Sequence, residues 1–121
     1  MKITQAAAVG FVVILLGHSW VAAQEFRGNS KSGQAVYEQH CLRCHGLALD
    51  GKGPDAPYLI VAPTNLQTLK SRSKSDWELL VAIIHGVLFS PMHGWGGRLT
   101  DEQITDVLSY IRLMAPFDAV S

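Results

Sequence analysis

The sequence predicts a small all-α domain in which short helices are joined by long loops. Two stretches, residues 75–84 and 100–111, carry a helix-starting signal followed by apolar residues at one-face spacing. No run of useful length alternates between polar and apolar residues, so no β-strand is expected. Proline and glycine are concentrated in residues 51–63, which is typical of turns.

Residues 1–23 have the three parts of a secretory signal peptide: the positive Lys2, an apolar stretch at 6–16, and the small-residue cleavage signal at 21–23. The apolar stretch is shorter than the roughly 20 residues that a membrane-spanning helix needs. An uncleaved anchor is the alternative. The protein is therefore expected to be periplasmic or otherwise extracytoplasmic.

Cleavage leaves residues 24–121 as one domain, with a core at about residues 32–115 and no later membrane span. The whole chain balances 10 Lys and Arg against 10 Asp and Glu. A balance of this kind gives no indication of nucleic-acid binding.

The first helix of the mature chain is predicted from Gly33 to about His40, with Val36 and Tyr37 as its apolar contacts. The polar, small residues 24–32 before it are expected to form a loose start. Residues 46–70 after it are expected to be mostly loop and turn.

The next two helices each open on a capping box, Ser75 to Glu78 and Thr100 to Gln103. One-face spacing predicts two sets of buried side chains. They are Trp77, Leu80, Val81 and Ile84 in the first helix, and Ile104, Val107, Leu108 and Ile111 in the second. Gly86 and Pro116 are placed to end these helices.

The chemistry of the chain centres on residues 41–45, Cys-Leu-Arg-Cys-His, which have the C-x-x-C-H spacing of a c-type haem attachment site. Cys41 and Cys44 can reach the two vinyl groups on one edge of a porphyrin and become thioethers. His45 can offer a neutral imidazole nitrogen to the iron. The rival use of the only two cysteines in the chain is a disulfide or thiol–disulfide exchange, but the βαβ pattern that accompanies exchange motifs is missing.

The sixth iron ligand decides what such a haem does. Met92, which follows Pro91 in a glycine-rich loop, is the favoured ligand, and the adjacent His93 is its competitor. A closed sixth position indicates an electron carrier, whereas an open one indicates an enzyme or gas sensor. Trp95 is a candidate to donate its indole N–H to a haem propionate.

With these residues in place, the chain resembles the class I cytochromes c over about residues 32–115. Gly33 and Tyr37 stand eight and four residues before Cys41, as in that family. The resemblance implies that they pack against an aromatic residue of the last helix, here Tyr110, and that Gly33 lets the two helices cross closely.

Two further motifs carry the resemblance. Gly53-Pro54 is similar to the family's Gly-Pro, and implies that the carbonyl of Pro54 accepts a hydrogen bond from His45 and orients it. Pro91-Met92 and residues 95–99 resemble the family's methionine loop. Many relatives have proline just after the ligand methionine, whereas here it precedes Met92.

The resemblance implies an extracytoplasmic monohaem cytochrome c, a one-electron carrier that is not an enzyme on its own. One haem c attached through Cys41 and Cys44 is the expected cofactor, and redox proteins are the expected partners. The chain is expected to be a monomer or a subunit of a redox complex. The alternatives are a haem subunit fixed in a larger oxidoreductase, and a haem enzyme or gas sensor with a labile sixth ligand.

Overall fold

A computed structural model describes residues 27–119, and the predicted signal peptide, residues 1–23, lies outside them. Five α-helices follow one another in this part of the chain: α1 Ser30–His40, α2 Leu42–His45, α3 Leu69–Arg72, α4 Asp76–His85 and α5 Asp101–Met114. A single 3-10 turn, Ala56–Tyr58, interrupts the loop after α2. Residues 27–119 contain two isolated β-bridges and no strand. The all-α prediction is confirmed.

The crossing of α1 and α5 is the most extensive contact between helices in the described part of the chain. Gly33 is buried on α1, and a Cβ placed on it would collide with the backbone carbonyl of Asp106 on α5. Tyr37, one turn further along α1, is fully buried and packs its ring against Tyr110 of α5. The predicted close crossing is confirmed, with the backbone at Asp106 as the surface that Gly33 meets.

The segment before α1 is fixed rather than loose. Asn29 caps α1 with its side chain, and its own amide donates a 2.6 Å hydrogen bond to the carboxylate of Asp106, which is buried. The amide of Gly28 donates to the hydroxyl of Ser109 at 2.8 Å. The expectation of a loose start is therefore wrong for residues 28–32, because these contacts with α5 secure them.

Both capping boxes are present, and α5 buries the predicted residues. The predicted face of α4 is wrong in part. Leu79, Leu80 and Ile83 are the buried side chains of α4, whereas Trp77 is 64% exposed and Val81 38% exposed. Apolar residues surround most of α4, so its spacing fits more than one face, and packing against α5 selects among them.

No helix within residues 27–119 combines the length and the apolar character that crossing a membrane requires.

Gly33→Ala tests the helix crossing, because the close approach predicts that the change lowers the unfolding free energy instead of raising it. In an open helix this change stabilises by about 1 kcal/mol. Here we expect the holoprotein to lose about 1–3 kcal/mol of unfolding free energy, because the new methyl group overlaps the Asp106 carbonyl. Urea denaturation measures the loss.

The control for that change is Gln39→Ala, at an exposed position of the same helix. It should alter the unfolding free energy by no more than about 0.5 kcal/mol. A Gly33→Ala protein as stable as wild type would show that the helices are further apart than described.

Candidate haem-binding site

The C-x-x-C-H motif occupies the turn where α1 ends and α2 begins. The amides of Cys44 and His45 donate to the carbonyl of Cys41 at 3.2 and 2.9 Å, which closes the turn. Cys41 and Cys44 are free thiols and both are half-buried. Because the turn is short and closed, the backbone presents the two cysteines and the histidine as one rigid group.

These residues line a cavity of about 410 Å³. That volume lies within the roughly 300–1,000 Å³ that is usual for ligand and cofactor sites. Its walls come mainly from apolar side chains of α4, α5 and the loop at 59–66. The charged side chains among the described lining residues are those of Lys74 and Glu78. The cavity therefore suits a large, mostly apolar group.

His45 has one ring nitrogen engaged and one available. Its Nδ1 lies 3.2 Å from the carbonyl oxygen of Thr64. A carbonyl oxygen can only accept, so Nδ1 carries the hydrogen and Nε2 keeps its lone pair. Burial lowers the pKa of His45, against an opposing contribution from the Thr64 carbonyl. The imidazole is therefore neutral near pH 7, as an iron ligand must be.

The resemblance implies that the carbonyl of Pro54 accepts the hydrogen bond from His45, and the structure contradicts this. Pro54 is exposed, and Thr64 supplies the carbonyl instead. The loop explains this, because the amide of Gly53 donates to Cys44 at 3.1 Å and that of Asp55 donates to Arg43 at 2.9 Å. These bonds hold the Gly-Pro segment against the backbone of α2, and the chain returns to His45 only at Thr64. No local sequence signal marks Thr64.

Tyr37 connects α1 to the end of the motif. Its hydroxyl donates a buried 2.7 Å hydrogen bond to the carbonyl of Gly46, the residue after His45. Its ring lies 5.3 Å from that of Tyr110, tilted by 52°. The aromatic contact predicted with Tyr110 is confirmed. The hydrogen bond to Gly46 is a contact that no spacing in the sequence indicates.

Met92 reaches the same cavity from the loop after α4. It is half-buried and packs against the hydrophobic core. The loop forms a hairpin in which Gly86 bridges His93 and the amide of Val87 donates to the carbonyl of Met92 at 2.9 Å. The loop thus brings the Met92 thioether to the cavity that the motif lines.

The aromatic side chains beside Met92 form a cluster at the cavity edge. Trp95 is half-buried, and its ring lies 4.4 Å from that of His93 and 4.9 Å from that of His40. His93 is exposed, and its Nδ1 lies 3.0 Å from the carbonyl of Gly94. All three rings line the cavity. Of the candidate residues, the structure brings these to one cavity: Cys41, Cys44, His45, Met92, His93 and Trp95.

The Cys41 thiol is poorly suited to disulfide exchange. Burial raises the pKa of the Cys41 thiol to about 12, and the neighbouring Cys44 contributes to the rise. Exchange begins with attack by a thiolate, which this environment disfavours. The donor set of two free cysteines, a neutral imidazole and a thioether fits a covalently attached haem.

Comparison with known proteins agrees with this geometry. The family model described as cytochrome c oxidase, cbb3-type, subunit III matches residues 28–111. Dihydro-heme d1 dehydrogenase of Pseudomonas aeruginosa is 32% identical over 85 residues, which cover 69% of this chain and 15% of that protein. Cytochrome c6 of Gloeothece citriformis is 32% identical over 107 residues, which cover 87% of this chain and 88% of the relative. The chain thus spans a small part of the first relative and most of the second.

Solved structures give the same picture. A chain of the reducing HAO-like protein complex of Kuenenia stuttgartiensis has a TM-score of 0.63 and 26% identity, covering 74% of this chain and 44% of that one. Dihydro-heme d1 dehydrogenase has a TM-score of 0.51 and 30% identity, and the match covers 74% of this chain and 16% of that one. Cytochrome c6 of the diatom Phaeodactylum tricornutum has a TM-score of 0.57 over 73% and 95% of the two chains. Its 20% identity shows a common fold alone.

Tyr37→Phe tests the link between α1 and the motif. The change leaves the buried carbonyl of Gly46 without its partner, so we expect the unfolding free energy of the holoprotein to fall by about 1–3 kcal/mol. Denaturant titration followed by tryptophan fluorescence measures it.

Tyr110→Phe is the matched control, because the structure records no hydrogen bond to that hydroxyl within residues 27–119. Its loss should stay within about 0.5 kcal/mol. Equal losses in the two variants would assign the effect to ring packing rather than to the bond with Gly46.

Proposed function

We propose that this chain, which belongs to the class I monohaem cytochrome c family and is an electron carrier with a covalently attached haem c, works outside the cytoplasm. We further propose that His45 and Met92 are the residues that would bind the haem iron. The observation that carries the proposal is that Cys41, Cys44, His45 and Met92 line one cavity. The bound haem supplies a one-electron Fe(III)/Fe(II) couple.

Several residues of the chain would hold or orient the haem. Cys41 and Cys44 would hold it by thioether bonds, and His45 would offer Nε2 while the carbonyl of Thr64 fixes its ring. The bond from Tyr37 to Gly46 keeps the motif on α1. Because Cys41, Cys44 and His45 lie in a closed turn that is bonded to α1, little on this side of the site has to move when its charge changes.

Burial supports Met92 over His93 as the sixth ligand. Met92 is half-buried against the core, whereas His93 is exposed and packs its ring on Trp95. Both residues line the cavity, so the assignment rests on this difference in burial and packing. A thioether also raises the potential relative to a second imidazole. Trp95 keeps its proposed role of donating to a haem propionate, supported by its place in the cavity lining.

A carrier needs to exclude water and substrates rather than to bind them. Apart from Glu78, the cavity walls of α4 and α5 are apolar, which suits exclusion. The chain is proposed to exchange electrons with separate redox proteins and to catalyse no reaction on its own. The extracytoplasmic location rests on the signal-peptide pattern of residues 1–23.

A haem subunit of a larger redox complex is the second candidate function. It is favoured by the two relatives that are much longer than this chain, of which 15% and 44% are covered. Gel filtration of an extract from the source cells, followed at the haem absorbance, separates the two. Elution with the purified protein supports a free carrier, and elution at a much larger size supports a subunit.

Covalent attachment is tested by mass. Protein produced with a haem-attachment system should gain the mass of one haem and keep its colour after acid–organic extraction. Changing Cys41 and Cys44 together to serine should abolish both, because no thioether can form. A wild-type mass that shows only a Cys41–Cys44 disulfide would falsify the attachment.

Met92→Ala tests the sixth ligand. Wild-type protein should be low-spin in both oxidation states and show a weak ferric charge-transfer band from sulfur to iron. Met92→Ala should lose that band, bind carbon monoxide in the ferrous form, and have a lower reduction potential, within the span of about 0.8 V that axial ligands set.

His93→Ala is the matched control at the next position. It should keep the wild-type spectra and exclude carbon monoxide. If His93→Ala alone opens the iron, the ligand assignment is wrong while electron transfer stands. If the wild type is already high-spin and binds carbon monoxide readily, a gas-binding or enzymatic function replaces the carrier.

A further inference from the structure

We infer that the hydroxyl of Ser90 positions Met92 for iron ligation by bracing the loop that carries it. The inference rests on the proposed ligation by Met92. Ser90 lines the cavity, but its part in positioning Met92 lies within the hairpin, residues 86–94.

Ser90 joins the two sides of this hairpin. Its Oγ donates to the carbonyl of Val87 at 2.8 Å and accepts from the amide of Met92 at 3.2 Å. The carbonyl of Met92 in turn accepts from the amide of Val87 at 2.9 Å. Both backbone polar groups of Met92 are therefore bonded inside the hairpin. Pro91 has no N–H, so it donates no hydrogen bond within the hairpin.

The turn of the hairpin is strained, and the bonds of the Ser90 hydroxyl help to keep it closed. The amide of Ser90 donates to Val87 at 3.2 Å and closes a four-residue turn. Its third position is Phe89, with a left-handed φ of 59° that favours glycine. Phe89 is 98% exposed, so its side chain contributes no packing in return. The second bond from Ser90 to the same carbonyl keeps this turn closed.

The ends of the hairpin are anchored without Ser90. Gly86 has a φ of 77°, and a Cβ placed on it would lie 2.5 Å from the carbonyl of Met92. The amide of Trp95 donates to Ile83 of α4 at 2.9 Å. Between these anchors, Ser90 is the only serine or threonine in residues 86–94. Its removal should therefore loosen Met92 without releasing the hairpin from α4.

A looser Met92 competes less well with an added ligand. One hydrogen bond changes an equilibrium by roughly two- to tenfold. Imidazole titration of the ferric holoprotein is the measurement. Ser90→Ala should bind imidazole roughly two- to tenfold more tightly than wild type, and its sulfur-to-iron band should disappear at lower temperature.

Two comparisons isolate the hydroxyl. Ser90→Thr keeps it and should restore wild-type affinity, whereas Ser90→Val has the shape of threonine without it and should behave as Ser90→Ala. Ser73→Ala removes a hydroxyl that also donates to a carbonyl three residues earlier, that of Lys70 at 3.2 Å, and should leave imidazole affinity unchanged. If Ser90→Ala does not fold, the threonine and valine pair carries the test.

The outcomes separate this inference from the function beneath it. If the wild-type protein lacks the sulfur-to-iron band, Met92 is not the ligand, and both the proposed ligation and the role of Ser90 are overturned. A wild type with the band, and Ser90→Ala and Ser90→Val proteins that bind imidazole as wild type does, overturns the role of Ser90 alone. A fall in unfolding free energy with unchanged imidazole affinity also overturns that role, since it indicates a merely structural bond.

Discussion

The approach of Gly33 to the backbone of α5 fixes where the haem motif lies. Because a side chain at this position would collide with Asp106, the helices can pack this closely only with glycine here. The amide of Asn29 adds a bond to the same Asp106, so the start of α1 is secured as well as its middle. Cys41 directly follows the end of α1, and its position relative to α5 therefore depends on this close approach and on the contacts around it.

The orientation of the His45 ring depends on a second set of backbone contacts. Gly51, Gly53 and Asp55 all donate amide hydrogen bonds to residues 43–45, so the loop wraps closely around α2. A Cβ at Gly53 would collide with the Arg43 carbonyl, which makes glycine necessary here too. With that loop held down, the chain passes His45 a second time at Thr64. The histidine is thus oriented by a residue 19 positions away.

Local signals predicted much of the fold and part of the site. Each capping box is a contact across three residues, and both formed. The buried face of α4 was predicted in part only, because Trp77 and Val81 fit the helical spacing as well as the residues that are buried. The orientation of His45 by Thr64 depends on the path of a whole loop, which no short motif specifies.

The charge distribution around the cavity connects packing to redox chemistry. Glu78 is one of two charged residues in its lining, and its carboxylate accepts bonds from the amide and the hydroxyl of Ser75 at 2.7 and 2.9 Å. The backbone hydrogen bond from Ser75 is the main cause that lowers the pKa of Glu78. That negative charge is thus bound to the start of α4, where the helix dipole favours it. The remaining walls are mainly apolar and stabilise a positive charge poorly, so they favour the reduced state of the site. The apolar side chains that build the core therefore also act, together with the proposed thioether ligand, to raise the reduction potential, whereas the charge of Glu78 acts in the opposite direction.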